Sequence, residues 1–121
     1  MPHAQDFADA LADIRQDAAV TITYIRGIQE IELSDVGEGM KKWAFPNASG
    51  FWVHVTSKDF LVDAKQMQIE PQQGDIIKRR NGLEIDIYRV ESINNEGCFH
   101  FQDDGRTALR IHTLKIETVE S

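Results

Sequence analysis

Apolar and polar residues alternate along most of this chain, and the alternation breaks at short clusters of Gly, Asn, Asp and Pro. Strands joined by tight turns give that pattern. Val20, Ile22 and Tyr24 alternate with Thr21, Thr23 and Ile25, which predicts a strand; Arg26-Gly27 then turns the chain into a second strand from Ile28 to Leu33. Phe51, Val53 and Val55 share one face of a strand over 51–57, and Trp52, His54 and Thr56 share the other. Both faces carry aromatics, so both are expected to be covered. Phe60 to Val62 reads as a short strand or bend, and residues 63–70 carry no decisive period.

Pro71 to Asp75 is a turn with a mechanism, because Pro fixes one backbone angle and Gly74 tolerates a positive φ. Asp75–Arg79 and Leu83–Ile93 flank Asn81-Gly82, a strong hairpin signal for a type I′ turn with two residues at positive φ. Asn94 to Gly97 turns the chain again, Cys98–Gln102 is a strand, Asp103 to Gly105 a turn, and Thr107–Thr118 the last strand. The fold class expected is mainly β: a small antiparallel β-barrel or sandwich over 20–118.

The two ends of this pattern differ from its middle. Phe7, Leu11, Ile14 and Ala18 recur at helical spacing, which predicts an N-terminal α-helix over 3–18, within a 1–19 segment. Asp6, Asp9 and Asp13 lie toward its start, where the helix dipole favours them. The helix packs on the body of the fold or docks on a neighbouring subunit. Residues 34–50 interrupt the strand pattern with Ser34, Asp35, Gly37, Gly39, Pro46, Asn47, Ser49 and Gly50. They are expected to form a long loop, and its Trp43 and Phe45 make it the candidate docking or gating segment. Deletion of residues 38–48 is the direct test of that expectation.

With 121 residues the chain is expected to be one domain, 1–121, and 41% hydrophobic residues allow one ordinary core. The formal charge of -7 argues against a free duplex-DNA binder, which gains affinity by neutralising phosphates. One cysteine, Cys98, permits no internal disulfide and suits a reducing compartment. The N-terminus lacks the charge and apolar run of a secretory signal, and no apolar run is long enough to cross a membrane.

Candidate chemistry is thin. Cys98 and His100 share a strand face, but a zinc site needs at least three protein ligands. Gly37-Glu38-Gly39 lacks the third glycine of a phosphate loop, and no Gly-x-Ser-x-Gly motif is present. Asp59, Asp63 and Lys65 are a weak nuclease-like cluster, and Glu84 with Asp86 reads as a solvent-facing strand edge. No catalytic residue, cofactor or metal site is expected. Lys78-Arg79-Arg80 precedes the Asn-Gly turn, at a hairpin tip, and Lys41-Lys42 adjoins Trp43. These basic residues suit an acidic protein surface or a solvated turn better than sequence-specific nucleic-acid recognition. If Leu109, Ile111 and Thr113 share one face of the last strand, Arg110 and His112 share the other. Arg110 there either pairs with a carboxylate inside the domain or contacts another subunit.

The run Gly74-Asp75-Ile76, the turn Asn81-Gly82, the strand Ile87-Tyr88-Arg89-Val90-Glu91 and the ending Leu109-Arg110-Ile111-His112-Thr113-Leu114-Lys115 resemble the head–tail joining proteins of tailed bacteriophages. The likeness covers residues 51–117, and the Arg-Ile-His-Thr run is its rarer element. The resemblance implies a non-enzymatic stopper, adaptor or head-completion protein of the virion, assembled in the bacterial host cytoplasm. Its partners would be portal, adaptor and tail proteins, within a homo-oligomeric ring that is monomeric on its own. DNA would pass through the ring without sequence recognition, and an acidic wall would repel phosphate and let it slide. The candidate interface is Trp43, Phe45, Lys78, Arg79, Arg80, Arg110 and His112. The competing expectations are a tail-terminator or tail-completion protein, and an OB-like module for nucleic acid or a small ligand.

Overall fold

The computed structural model describes residues 19–120, so the expected helix over 3–18 lies outside the described residues. Seven strands follow one another: β1 (Val20–Arg26), β2 (Gln29–Pro46), β3 (Trp52–Asp63), β4 (Ile76–Asn81), β5 (Glu84–Val90), β6 (Phe99–Phe101) and β7 (Ala108–Glu120). Among the described residues the helical element is α1 (Ala64–Met67), a single turn between β3 and β4 rather than at the N-terminus. Asp63 caps it by accepting from the Lys65 amide.

All strand pairs are antiparallel, in the order β3-β2-β1-β4-β5-β7-β6. Because β3 also pairs with β7, the sheet closes into a ring, and β6 adds to β7 outside that circuit. Within the circuit closure removes the open edges that a flat sheet would expose, leaving those of β6 and of the outer β2–β3 hairpin. Tyr24, Leu33, Phe60, Val62, Ile77, Val90 and Ile111 point inward and are buried, with Phe60 and Tyr88 in edge-to-face contact at 5.2 Å.

The expected loop over 34–50 is mostly strand. β2 runs unbroken to Pro46, and only residues 47–51 form a turn. The polar and glycine residues that hid the strand serve a transfer between neighbours. Val20 opposes Val36 while Ile22 opposes Leu33, so β2 carries an extra residue there, with Asp35 at φ 54. Such a bulge bends a strand. From Gly37 onward β2 leaves β1 and pairs with β3, ending at Pro46 opposite Trp52.

Two further readings change. Asn81 pairs with Glu84, so the β4–β5 loop is Gly82-Leu83, with a positive φ at Gly82 (φ 67) and not at Asn81. A glycine in the first loop position suits a II′-like turn rather than I′. On β5, Asp86 and Tyr88 are buried, not solvent-facing.

Ionised groups finish both ends of the core. At one end Glu38 accepts from Arg79 through two nitrogens at 2.7 and 3.0 Å and meets Lys58 Nζ at 2.8 Å. Nearby, Asp86 accepts from Thr118 at 2.7 Å and meets Lys115 at 3.2 Å. At the other end Asp75 accepts from the Tyr24 hydroxyl at 2.5 Å and from Arg26 at 2.8 Å. Desolvation drives the Tyr24 hydroxyl pKa upward, and the adjacent Asp75 adds to that.

Candidate docking site

The β2–β3 hairpin extends past the ring. β7 pairs with β3 from Thr113 opposite Lys58 to Ala108 opposite Asp63, and it goes no further along β3 toward Trp52. Residues 41–46 and 52–57 therefore pair with each other alone among the described strands. At about 3.3 Å per residue this ribbon is roughly 20 Å long. Two-stranded ribbons are marginal on their own, so this one needs support at its tip and base.

The tip is held by Asn47. Its side chain accepts from the Ser49 amide at 2.9 Å and the Phe51 amide at 3.0 Å, and its carbonyl accepts from the Gly50 amide at 3.0 Å. Gly50 sits at φ 84, where a β-carbon is disfavoured.

The base is held by a polar cluster centred on Asp59. Trp43 Nε1 donates to Ser57 Oγ at 3.0 Å, and Ser57 Oγ donates to Asp59 at 2.7 Å. Arg110 Nε donates to the other Asp59 oxygen at 2.6 Å. His112 Nδ1 lies 3.0 Å from Asp59; a carboxylate only accepts, so this nitrogen carries the proton and donates. His112 Nε2 faces His100 Nδ1 at 3.3 Å, and Trp43 meets the His112 ring edge-on at 5.1 Å. Burial pushes the Asp59 carboxyl up, but hydrogen bonds from His112, Ser57 and Arg110 together outweigh it and hold the group below its ordinary range.

The cluster explains three of the sequence candidates. Trp43, Arg110 and His112 come together around Asp59, and Arg110 makes the internal carboxylate pair. Phe45 is half-buried on the same ribbon face as Trp43, opposite Val53. The three basic residues of β4 run up to the Gly82-Leu83 loop but do not share a face. Arg79 points inward to Glu38, while Lys78 and Arg80 point out beside Thr21, Thr23 and Glu32.

Three exposed apolar side chains of this hairpin were not singled out by sequence, and Ile28 and Leu83 are exposed elsewhere. Met40, Phe51 and Trp52 are 71%, 73% and 65% exposed, all on the hairpin. The face with Trp52, His54 and Thr56 was expected to be covered, yet all three are exposed. Adjacent aromatics at a turn were the available signal, since Phe51 and Trp52 cannot both face one interior. Between Met40 and Ser57 the ribbon carries Lys41 and Lys42 and no carboxylate, and Lys41 lies 4.0 Å over the Trp43 ring. The ribbon is thus locally basic with an aromatic tip, on a chain of charge -7. Among the described residues no group of three or more His, Cys, Asp or Glu is arranged to hold a metal ion.

No curated protein matches the chain. The model of the phage head–tail joining protein family matches residues 3–120, well beyond the 51–117 stretch that carried the resemblance, so the chain belongs to that family and has its structural, non-enzymatic role in building the phage particle.

Proposed function

We propose that this protein acts as a connector or stopper subunit beneath the portal, that several copies form a ring, and that the β2–β3 hairpin is the element that docks. The closed sheet is then a small barrel serving as the rigid body of each subunit, and the acidic surface lets DNA pass along the ring without sticking. The carrying observation is the projecting ribbon. It pairs with no other described strand, and it exposes Phe51 and Trp52 side by side at its tip. Monomeric proteins rarely leave such side chains clustered in water without a partner. The ordered tip and the Asp59 base support docking by a prearranged arm, which saves the entropy of ordering a loop on contact.

The test is electron microscopy of lysates from an inducible prophage that lacks this gene, beside a complemented control. Heads that stay tailless or lose DNA, with free tails of normal length, are the expected result. Joined particles of normal appearance would overturn the proposal. Full heads carrying overlong or malformed tails would also overturn it, in favour of tail completion.

A further inference from the structure

The outer face of β4, β5 and β7 sorts its side chains by strand. The pairings set them in two rows: Arg80, Ile85 and Val119 in one, Lys78, Ile87 and Glu117 in the other. Ile85 and Ile87 are half-buried and Val119 is 36% exposed, so an apolar column stands beside a basic one. Lys78 and Arg80 make no ion pair among the described residues, although Arg79 between them binds Glu38. Arg89, the next outward residue of β5, is bonded to Glu91. The carboxylates of this face lie to either side: Glu32 beyond Thr23, across β1, and Glu117 across Ile87. β4 is three places from β3 in either direction around the circuit of six strands, so the face looks away from the docking hairpin.

The chain that precedes the described residues has the matching order. Read as a helix, residues 5–14 place Phe7, Leu11 and Ile14 in one stripe, Asp6, Asp9 and Asp13 along one flank, and Ala8 and Ala12 along the other. This segment runs into β1 at Val20, and β5 lies two strands from β1, about 10 Å away. Residues 15–19 span up to about 16 Å when extended. They can therefore cross that distance and rise to a helix seated about 10 Å above the sheet. Direction fixes which flank meets which strand. A helix that returns to the start of β1 runs antiparallel to β1 and β5. Laid on β5 in that direction, a right-handed helix turns its aspartate flank toward β4 and its alanine flank toward Glu117.

We infer that residues 5–14 dock as a helix on the outer face of their own barrel, with Phe7, Leu11 and Ile14 on Ile85, Ile87 and Val119, and with Asp6, Asp9 and Asp13 facing Lys78 and Arg80. Apolar burial supplies the stability of the contact, and the exposed ion pairs set its direction more than its strength. A helix this short is marginal in water by itself, so the face is what holds it. The five-residue link keeps the segment at high effective concentration over its own barrel, which favours that barrel over a second copy. The docked helix leaves the β2–β3 hairpin uncovered, so the inference stands independently of the joining role.

The test places a nitroxide spin label on Gln5→Cys in the full chain, on the helix side away from the stripe, and reads the backbone amide signals by NMR. Cys98 is buried and stays as it is. The amides of Lys78, Ile85, Ile87 and Glu117 should weaken at least threefold against the reduced label, while those of Trp43 and Phe51 keep their intensity. Adding Leu11→Asp and Ile14→Asp to the labelled chain should restore the weakened signals, and Lys78→Glu with Arg80→Glu should restore them in part. Spectra unchanged at the core residues show that each variant folds. A mixture of isotope-enriched copies without the label and spin-labelled copies without enrichment should show no weakening. Signals that never weaken, or that stay weak after Leu11→Asp and Ile14→Asp, would overturn the docking. Weakening in the mixture would overturn the assignment to the chain's own barrel and give the segment to a second copy.

Discussion

Replacing Asp59 with alanine removes the acceptor on which the hairpin base is built. Three donors lose their partner at once: Ser57 Oγ at 2.7 Å, Arg110 Nε at 2.6 Å and His112 Nδ1 at 3.0 Å. Truncating one member of a buried ion pair costs about 3–5 kcal/mol, because the remaining charge stays unpaired. The Arg110 side chain keeps 15% exposure, so water recovers part of its loss. The expected cost is therefore about 3 kcal/mol, a large share of the ~5–15 kcal/mol typical of a domain. For a chain of this size that lowers Tm by about 10 °C. Thermal and urea unfolding followed by circular dichroism measure it, with Trp43 fluorescence reporting on the base. The sign with pH follows from the lowered Asp59 pKa. The group stabilises the fold above its unfolded value of about 3.9, and that contribution is lost as pH falls through the lower folded value. The difference between wild type and Asp59→Ala should thus hold from pH 7 to pH 5 and shrink below about pH 4. A loss under about 1 kcal/mol at pH 7 would refute the view that Asp59 organises the base.

Tyr24→Phe deletes the hydroxyl that donates to buried Asp75 and should cost about 1.5–2 kcal/mol by urea unfolding. Gly82→Ala places a β-carbon at φ 67 and should cost about 1 kcal/mol, although open space surrounds the site. Trp52→Ala should change stability by less than about 0.5 kcal/mol, since the side chain is exposed, while greatly reducing the yield of joined particles. Desolvation of the His100 ring lowers its pKa, but the side chain is largely exposed, so the decline in stability as pH falls past about 6.5 should be small, and His100→Gln should remove it between pH 7 and pH 5.

Most strands were legible because one face of each is buried and the other wet. β1 and β4 alternate in that way, β7 was read from its β-branched residues although it is buried as far as Thr113 and exposed beyond Leu114, and the turns at Gly27 and Gly82 announce themselves by glycine. β2 was not legible. Its Ser34, Asp35, Gly37 and Gly39 are turn-formers by composition, yet here they carry a bulge and a change of partner. Cross-strand pairing supplies what local propensity lacks. β5 misled for a different reason: Asp86 faces inward because Thr118 and Lys115 meet it there, and no local signal reveals partners about thirty residues away. The site shows the same limit. Trp43, Arg110 and His112 were singled out separately, but their common centre, Asp59, lies on a third strand and had been read only as part of a weak acidic cluster.

The central claim is that the exposed hairpin tip makes the joint. The most direct measurement is a count of tailed particles by electron microscopy after complementing the gene-deleted prophage with Phe51→Ser, Trp52→Ser protein. Its folding is checked by an unchanged urea midpoint. The account predicts heads and normal-length tails that remain separate, with joined particles reduced at least tenfold against wild type. Joined particles at the wild-type frequency, from a variant that folds normally, would contradict it.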